Sequence, residues 1–136
     1  MSGVDSFFDT SVLIYLLSED PEKPDRVEEL LAENGLISVQ VLNEFTTVSR
    51  RKFGLSSLEC REILGTVRAV CETHPLTVES HDLGVEISER YGFSVYDSMI
   101  VASALLAGCR TLYSEDLQHR QVIDGNLTVI NPFRTE

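Results

Sequence analysis

Short apolar runs rich in Val, Ile and Phe alternate along the chain with stretches of helical periodicity. That alternation marks an α/β domain built on a parallel sheet. It predicts a first strand over residues 4–8, a helix over 12–17, a break at 18–24 and a short helix over 25–33. A second strand follows at 35–39, then a longer helix at 40–53. Ser56 or Ser57 is placed to cap a helix over 58–71, with Glu59 and Glu62 in its first turns. A brief strand is expected at 76–78, then a helix over 82–91 closed by Gly92 and another over 95–107 stopped by Gly108. Strands at 111–113 and 127–130 bring the total to five, with an acidic, poorly periodic stretch between them.

Against this pattern, several acids stand where apolar residues or plain turns would be expected. Asp9 follows the first strand, at the carboxyl end where open α/β sheets bind ligands. Helix capping by Asp9, Thr10 or Ser11 is the competing explanation. Glu44 falls within the stripe Val41, Phe45, Val48 of its helix. A buried carboxylate needs a cation, a metal or a wet pocket, whereas an edge position would leave it in water. Asp97 opens the stripe Ile100, Val101, Ala104, Leu105, yet Ser94-Val95-Tyr96-Asp97 also resembles a capping box with Asp in place of Glu. Asp116, in Ser114-Glu115-Asp116 after the strand at 111–113, reads either as a site acid or as a turn acid, and Glu115 competes for the same role.

Carboxylates converging within about 4 Å repel by about 4 kcal/mol per pair at an effective dielectric near 20. Hard divalent cations with oxygen ligands, Mg²⁺ or Mn²⁺, would screen such a cluster. A metal held that way, with free coordination positions, suits hydrolysis at phosphorus.

The composition narrows the class. With 136 residues the chain fits one domain with a core of its own, and 43% hydrophobic residues excludes a disordered or fibrous chain. Cys60, Cys71 and Cys109 are odd in number and carry no CxxC spacing, which points to free thiols in a reducing compartment. The apolar run 12–17 is short and preceded by Asp5 and Asp9, so neither a signal peptide nor a membrane span is expected, and a cytoplasmic location is. The formal charge of −11 runs against broad phosphate neutralisation. Nucleic-acid chemistry would have to rely on metal ions and a few local cations, and the acidity also suits a basic protein partner.

The acidic motifs, taken in order, resemble the PIN-domain family. Phe7-Phe8-Asp9-Thr10-Ser11-Val12-Leu13 is similar to its opening strand and first acid, and Val41-Leu42-Asn43-Glu44-Phe45 to its second motif. The run from Tyr96 through Asp97 to Ala104 resembles the third, and Leu112-Tyr113-Ser114-Glu115-Asp116-Leu117 the fourth. Asn131-Pro132-Phe133 is similar to a common ending. The resemblance implies a three-layer α/β/α fold around a mainly parallel five-stranded sheet, and Mg²⁺- or Mn²⁺-dependent cleavage of RNA. Asp9, Glu44 and Asp97 would be the main metal acids, Asp116 the fourth, and Ser114 a hydroxyl beside the pocket. Relatives of this size are often toxin ribonucleases of the VapC type that form homodimers and are silenced by an antitoxin.

Other readings share some of these features. A receiver-like signalling domain would want an adjacent acid pair where only Asp9 stands, and a late-strand lysine, whereas the lysines are Lys23 and Lys52. A haloacid-dehalogenase-type phosphatase would want Asp-x-Asp, and the third residue is Ser11. A catalytically silent PIN-like module binding RNA or protein is the closer rival. His81 and His119 lie outside the acidic motifs and read as structural or surface residues, while Phe53, Tyr91 and Tyr113 read as core. Arg50-Arg51-Lys52 suits either phosphate contacts or a solvated helix end.

Overall fold

A computed structural model describes residues 6–33 and 35–134; Val4 and Asp5, the expected start of the first strand, lie outside them. The elements run β1 (Ser6–Phe8), α1 (Thr10–Leu13), a 3₁₀ turn (Ile14–Leu17), α2 (Glu22–Leu31), β2 (Gly35–Ser38), α3 (Val39–Phe53) and α4 (Ser57–Val70). There follow β3 (Cys71–His74), α5 (Val78–Tyr91), α6 (Val95–Leu106), β4 (Thr111–Tyr113), β5 (Val122–Ile123) and β6 (Leu127–Ile130).

One six-stranded sheet joins them in the order β3-β2-β1-β4-β6-β5, parallel throughout except where β5 meets β6. From β1 the chain steps outward to β2 and β3, then returns past them to lay β4 on the other side of β1. Because parallel crossovers are right-handed, steps in opposite directions place their helices on opposite faces, which makes three layers. Strands covered on both faces read as nearly continuous apolar runs, and in β1 Phe7 and Phe8 are both fully buried. The reversal also makes the β1–β4 boundary the switch point of the sheet, where a crevice opens beyond the strand ends.

Local signals explain most boundaries. Ser56 and Glu59 form a reciprocal capping box on α4, Ser38 caps α3, and Gly92 closes α5 with a left-handed φ of 75°. At Gly84 a Cβ would overlap the Met99 sulfur, so the missing side chain lets α5 lie tightly on α6. All three cysteines are buried free thiols. Among the described residues no helix is long and apolar enough to cross a membrane.

Four expectations need correction. The sheet has six strands and not five, because β5 is a two-residue antiparallel strand too short to carry a period. The third strand is Cys71–His74 and not 76–78: Val78 is 78% exposed and opens α5, so the Leu-Thr-Val alternation there is a surface accident. Helix α2 starts at Glu22, inside the expected break at 18–24, because Pro24 falls in its first turn, where backbone N–H groups lack partners anyway. Phe53, read as core, is 47% exposed.

Candidate carboxylate site at the sheet switch point

Asp9 stands at the end of β1, 3% exposed, with its backbone N–H donating to Tyr113 of β4 at 2.9 Å. It occupies the cap position of α1, but its side chain makes no cap hydrogen bond. Instead Oδ2 accepts the hydroxyls of Ser11 and Ser114, each at 2.8 Å. Burial pushes the Asp9 carboxyl up to about 6; the two hydroxyls oppose that rise, and the charges of Asp116 and Asp97 add to it.

Ser114, fully buried at the end of β4, does two jobs. Its Oγ donates to Asp9 and accepts the backbone N–H groups of Asp116 at 3.2 Å and Leu117 at 3.3 Å. One hydroxyl therefore fixes both the first acid and the turn that presents the fourth. Ser11 mirrors it, accepting the Glu115 N–H at 3.0 Å while donating to Asp9.

Glu44 is half-buried on the edge of α3, beside the stripe and not within it; the buried positions are Val41, Phe45 and Ser49. Its Oε1 accepts the Thr10 hydroxyl and its Oε2 the Gln40 amide, both at 2.8 Å. Asp97 lies in the first turn of α6, half-buried, with its N–H donating to the Ser94 hydroxyl at 3.1 Å. Only that half of the expected capping box forms. Burial raises the Asp97 carboxyl, as do the charges of Asp116 and Glu44. Asp116 is exposed, and its carboxyl is raised by desolvation and by the charges of Glu115 and Glu44. Glu115 turns toward the Tyr15 hydroxyl, which donates to it at 2.7 Å. Of the two neighbours, Asp116 is therefore the one that acts on Asp9 and Asp97 as well as answering to Glu44.

Thus Asp9, Glu44, Asp97 and Asp116 come from four separate segments, with the charges of Asp97 and Asp116 acting on Asp9 and that of Glu44 acting on Asp97 and Asp116. Neither ion pair found among the described residues, Arg26–Glu29 or Arg90–Asp124, includes any of them. A cleft of about 800 Å³ opens beside them, with Thr10, Gln40, Glu44 and Asp116 along one part of its wall. Among the described residues, no three His, Cys, Asp or Glu side chains are arranged to hold a metal ion. Asp9 and Glu44 are instead turned to hydroxyl and amide donors. The chemistry of the donor set does fit a hard divalent cation, since every donor is an oxygen and three of the four acids hold their protons more tightly than usual.

Residues 6–124 match the sequence profile of the PIN domain. The chain belongs to the PIN domain family. No curated protein matches the chain in sequence. Solved PIN-like structures share its fold. The VapC20 toxin of Mycobacterium tuberculosis, described as cleaving the sarcin–ricin loop, has a TM-score of 0.66 at 21% identity, over 82% of this chain and 89% of that one. A toxin–antitoxin complex from Klebsiella pneumoniae gives 0.71 at 20% identity, over 96% and 99%. VapBC2 from Rickettsia felis, bound to a promoter DNA fragment, gives 0.67 at 21%, over 93% and 96%.

Within this PIN domain the supporting donors Thr10, Ser11 and Gln40 were not singled out as site residues by the sequence. Their signal was weak: hydroxyls directly after Asp9, read there as caps, and an amide one turn before Glu44. His119 is structural, its Nδ1 accepting the Asn131 N–H at 2.9 Å, and His81 is exposed.

Proposed function

We propose that this PIN domain is a metal-dependent endoribonuclease, the toxin of a toxin–antitoxin pair, with Asp9, Glu44, Asp97 and Asp116 as its metal acids. The observation that carries the reading is the buried Asp9 carboxylate, raised to about 6 and held by two hydroxyls, at the switch point and within the field of two further acids, Asp97 and Asp116. Mg²⁺ or Mn²⁺, when bound, would supply an activated water and offset charge at the phosphorus. Ser11 and Ser114 hold Asp9 in one rotamer, Thr10 and Gln40 do the same for Glu44, and the amino end of α6 favours charge on Asp97. Ser114 positions and does not react, because both its proton and its lone pairs are committed.

The toxin assignment rests on the neighbours, VapC20 and the toxin–antitoxin complexes, together with the family. An antitoxin partner and a homodimer belong to the same reading, and the charge of −11 suits a basic antitoxin segment. A silent RNA- or protein-binding PIN domain is the second reading, favoured by carboxylates that turn to neutral donors instead of converging.

The test is RNA cleavage by the purified chain with Mg²⁺ or Mn²⁺ against excess EDTA. Cleavage should require metal and should fall by at least about 100-fold in Asp9→Asn and in Asp97→Asn, while the circular dichroism spectrum stays native. Asn at position 9 keeps an oxygen for both hydroxyls, so the fold should survive. Full activity in EDTA, or in both variants, would remove the metal mechanism; no activity under any metal would leave the silent reading.

A further inference from the structure

The cleft continues past the acids along α3, and its character changes there. Asn43, Thr47 and Arg51 recur every fourth residue and so form one stripe; all three line the cleft, as does Lys52. These four are exposed, and their side chains have no hydrogen bond or ion pair among the described residues. By contrast Thr10, Gln40 and Glu44, at the acidic end, are committed to one another. The rise from Glu44 to Arg51 along the helix is about 10 Å. Tyr96, 66% exposed at the start of α6, also lines the cleft, and its hydroxyl has no hydrogen-bond partner among the described residues.

An acidic end, a basic end about 10 Å away and an unpartnered aromatic ring between walls of the same cleft form a pattern suited to one ligand chemistry. A single nucleic-acid strand offers phosphates to Arg51 and Lys52 and an unstacked base to a ring such as Tyr96. A duplex keeps its bases stacked and offers that ring nothing. We propose that Tyr96 is the stacking platform for a base beside the scissile bond of a single RNA strand in this cleft, and that Arg51 and Lys52 clamp a flanking phosphate. This rests on the nuclease reading for the identity of the reacting end, but binding alone can test it.

The experiment measures binding of a labelled single-stranded RNA of about eight nucleotides, and of its duplex, to the full chain in EDTA across a salt series. Cleavage in Mn²⁺ is read separately. Tyr96→Ala should weaken single-strand binding about 5- to 150-fold with an unchanged salt slope, and Tyr96→Phe should retain it. Replacing Arg51 and Lys52 together by Ala should flatten the slope of log affinity against log salt by about 1.4, two single-strand phosphate contacts. The thermal response to Mn²⁺ should be unchanged in Tyr96→Ala, which separates stacking from disturbance of Asp97. Wild-type affinity for the single strand in Tyr96→Ala would overturn the proposal, as would equal losses for duplex and single strand. A chain that binds no RNA, or one in which Tyr96→Ala loses only a protein partner, would overturn it too. A wild type that binds as expected but never cleaves would fail the nuclease reading and leave the strand-binding cleft standing.

Discussion

At the turn between β5 and β6, Asp124 is met by the Arg90 guanidinium, with Nη1 at 3.0 Å from Oδ1 and Nη2 at 3.0 Å from Oδ2. Tyr91 completes it: its hydroxyl donates to Oδ1 at 3.0 Å and accepts the Asp124 N–H at 2.9 Å. At the end of β1, Asp9 is far more deeply buried, yet it has only neutral hydroxyls for company and more acids around it. The first carboxylate is neutralised where it sits and ties a turn to α5. The second has no counter-ion among the described residues, and burial makes its charge costly to the fold. A carboxylate that serves stability finds its counter-ion within the chain; one left without a counter-ion points to a cation from outside.

The largest way to sharpen that contrast is the pH dependence of stability without metal. Asp9 titrates near 6 in the folded chain against an ordinary 3.8, so folding takes up a proton between those values. The folded state is therefore favoured below about pH 4, and the advantage is lost as pH rises through about 6. At pH 7 the penalty is about 3 kcal/mol from this group. Asp97 and Asp116 are shifted the same way and steepen the fall. Denaturant unfolding in EDTA at several pH values should show wild type weakening from pH 4 to 7 relative to Asp9→Asn. If the two chains keep a constant difference over that range, Asp9 is not the strained acid described here.

Metal should relieve the same strain. At a hundred times its dissociation constant, a cation bound at one site adds about 2.7 kcal/mol. If Asp97→Asn lowers metal affinity about 100-fold, the gain at the same concentration falls to about 0.4 kcal/mol, while the metal-free variant is as stable as wild type or more so. Thermal melts with EDTA and with Mn²⁺ read both quantities, with the exposed Glu28→Gln as control. Equal metal responses in wild type and Asp97→Asn would show that the acids do not share an ion, and would return Asp97 to helix capping.

These two acid environments were unequally legible in the sequence. Asp9, Asp97 and Asp116 stood out as acids at a strand end or helix start, whereas Glu44 stood out only against an apolar stripe that it proves to border. The parallel sheet was readable because its central strands are short and carry buried apolar pairs, Phe7 and Phe8 in β1 and Leu36 and Ile37 in β2. Edge elements were not: β3 buries only Cys71, and β5 is too short for any period to show. Side-chain partnership was not readable either. Sequence spacing could not reveal that Ser114 bonds Asp9 across 105 positions, or that Glu115 is drawn off to Tyr15. The Asp124 latch was invisible for the same reason, since Arg90 and Asp124 meet only once the sheet is assembled.

The smallest effect tests the other half of the contrast, that Asp124 serves structure alone. Arg90 is 50% exposed and Asp124 25%, so the ion pair itself is worth no more than about 1 kcal/mol. The Tyr91 hydrogen bond adds about 1 kcal/mol. Asp124 also holds a φ of 52°, a left-handed conformation that Asp and Asn accept more readily than Ala. Asp124→Ala should therefore cost about 1–2 kcal/mol, and Asp124→Asn less, because it keeps the backbone preference and an acceptor for Tyr91. Neither should alter cleavage or the thermal response to Mn²⁺. Salt should weaken the wild-type advantage over Asp124→Asn, since a half-exposed pair is screened. A metal response that falls in Asp124→Asn as far as in Asp97→Asn would break the comparison. It would mean that the latch acts on the carboxylate site, or that the metal-dependent stabilisation arises from acidity spread over the whole chain and not from Asp9 and its neighbours.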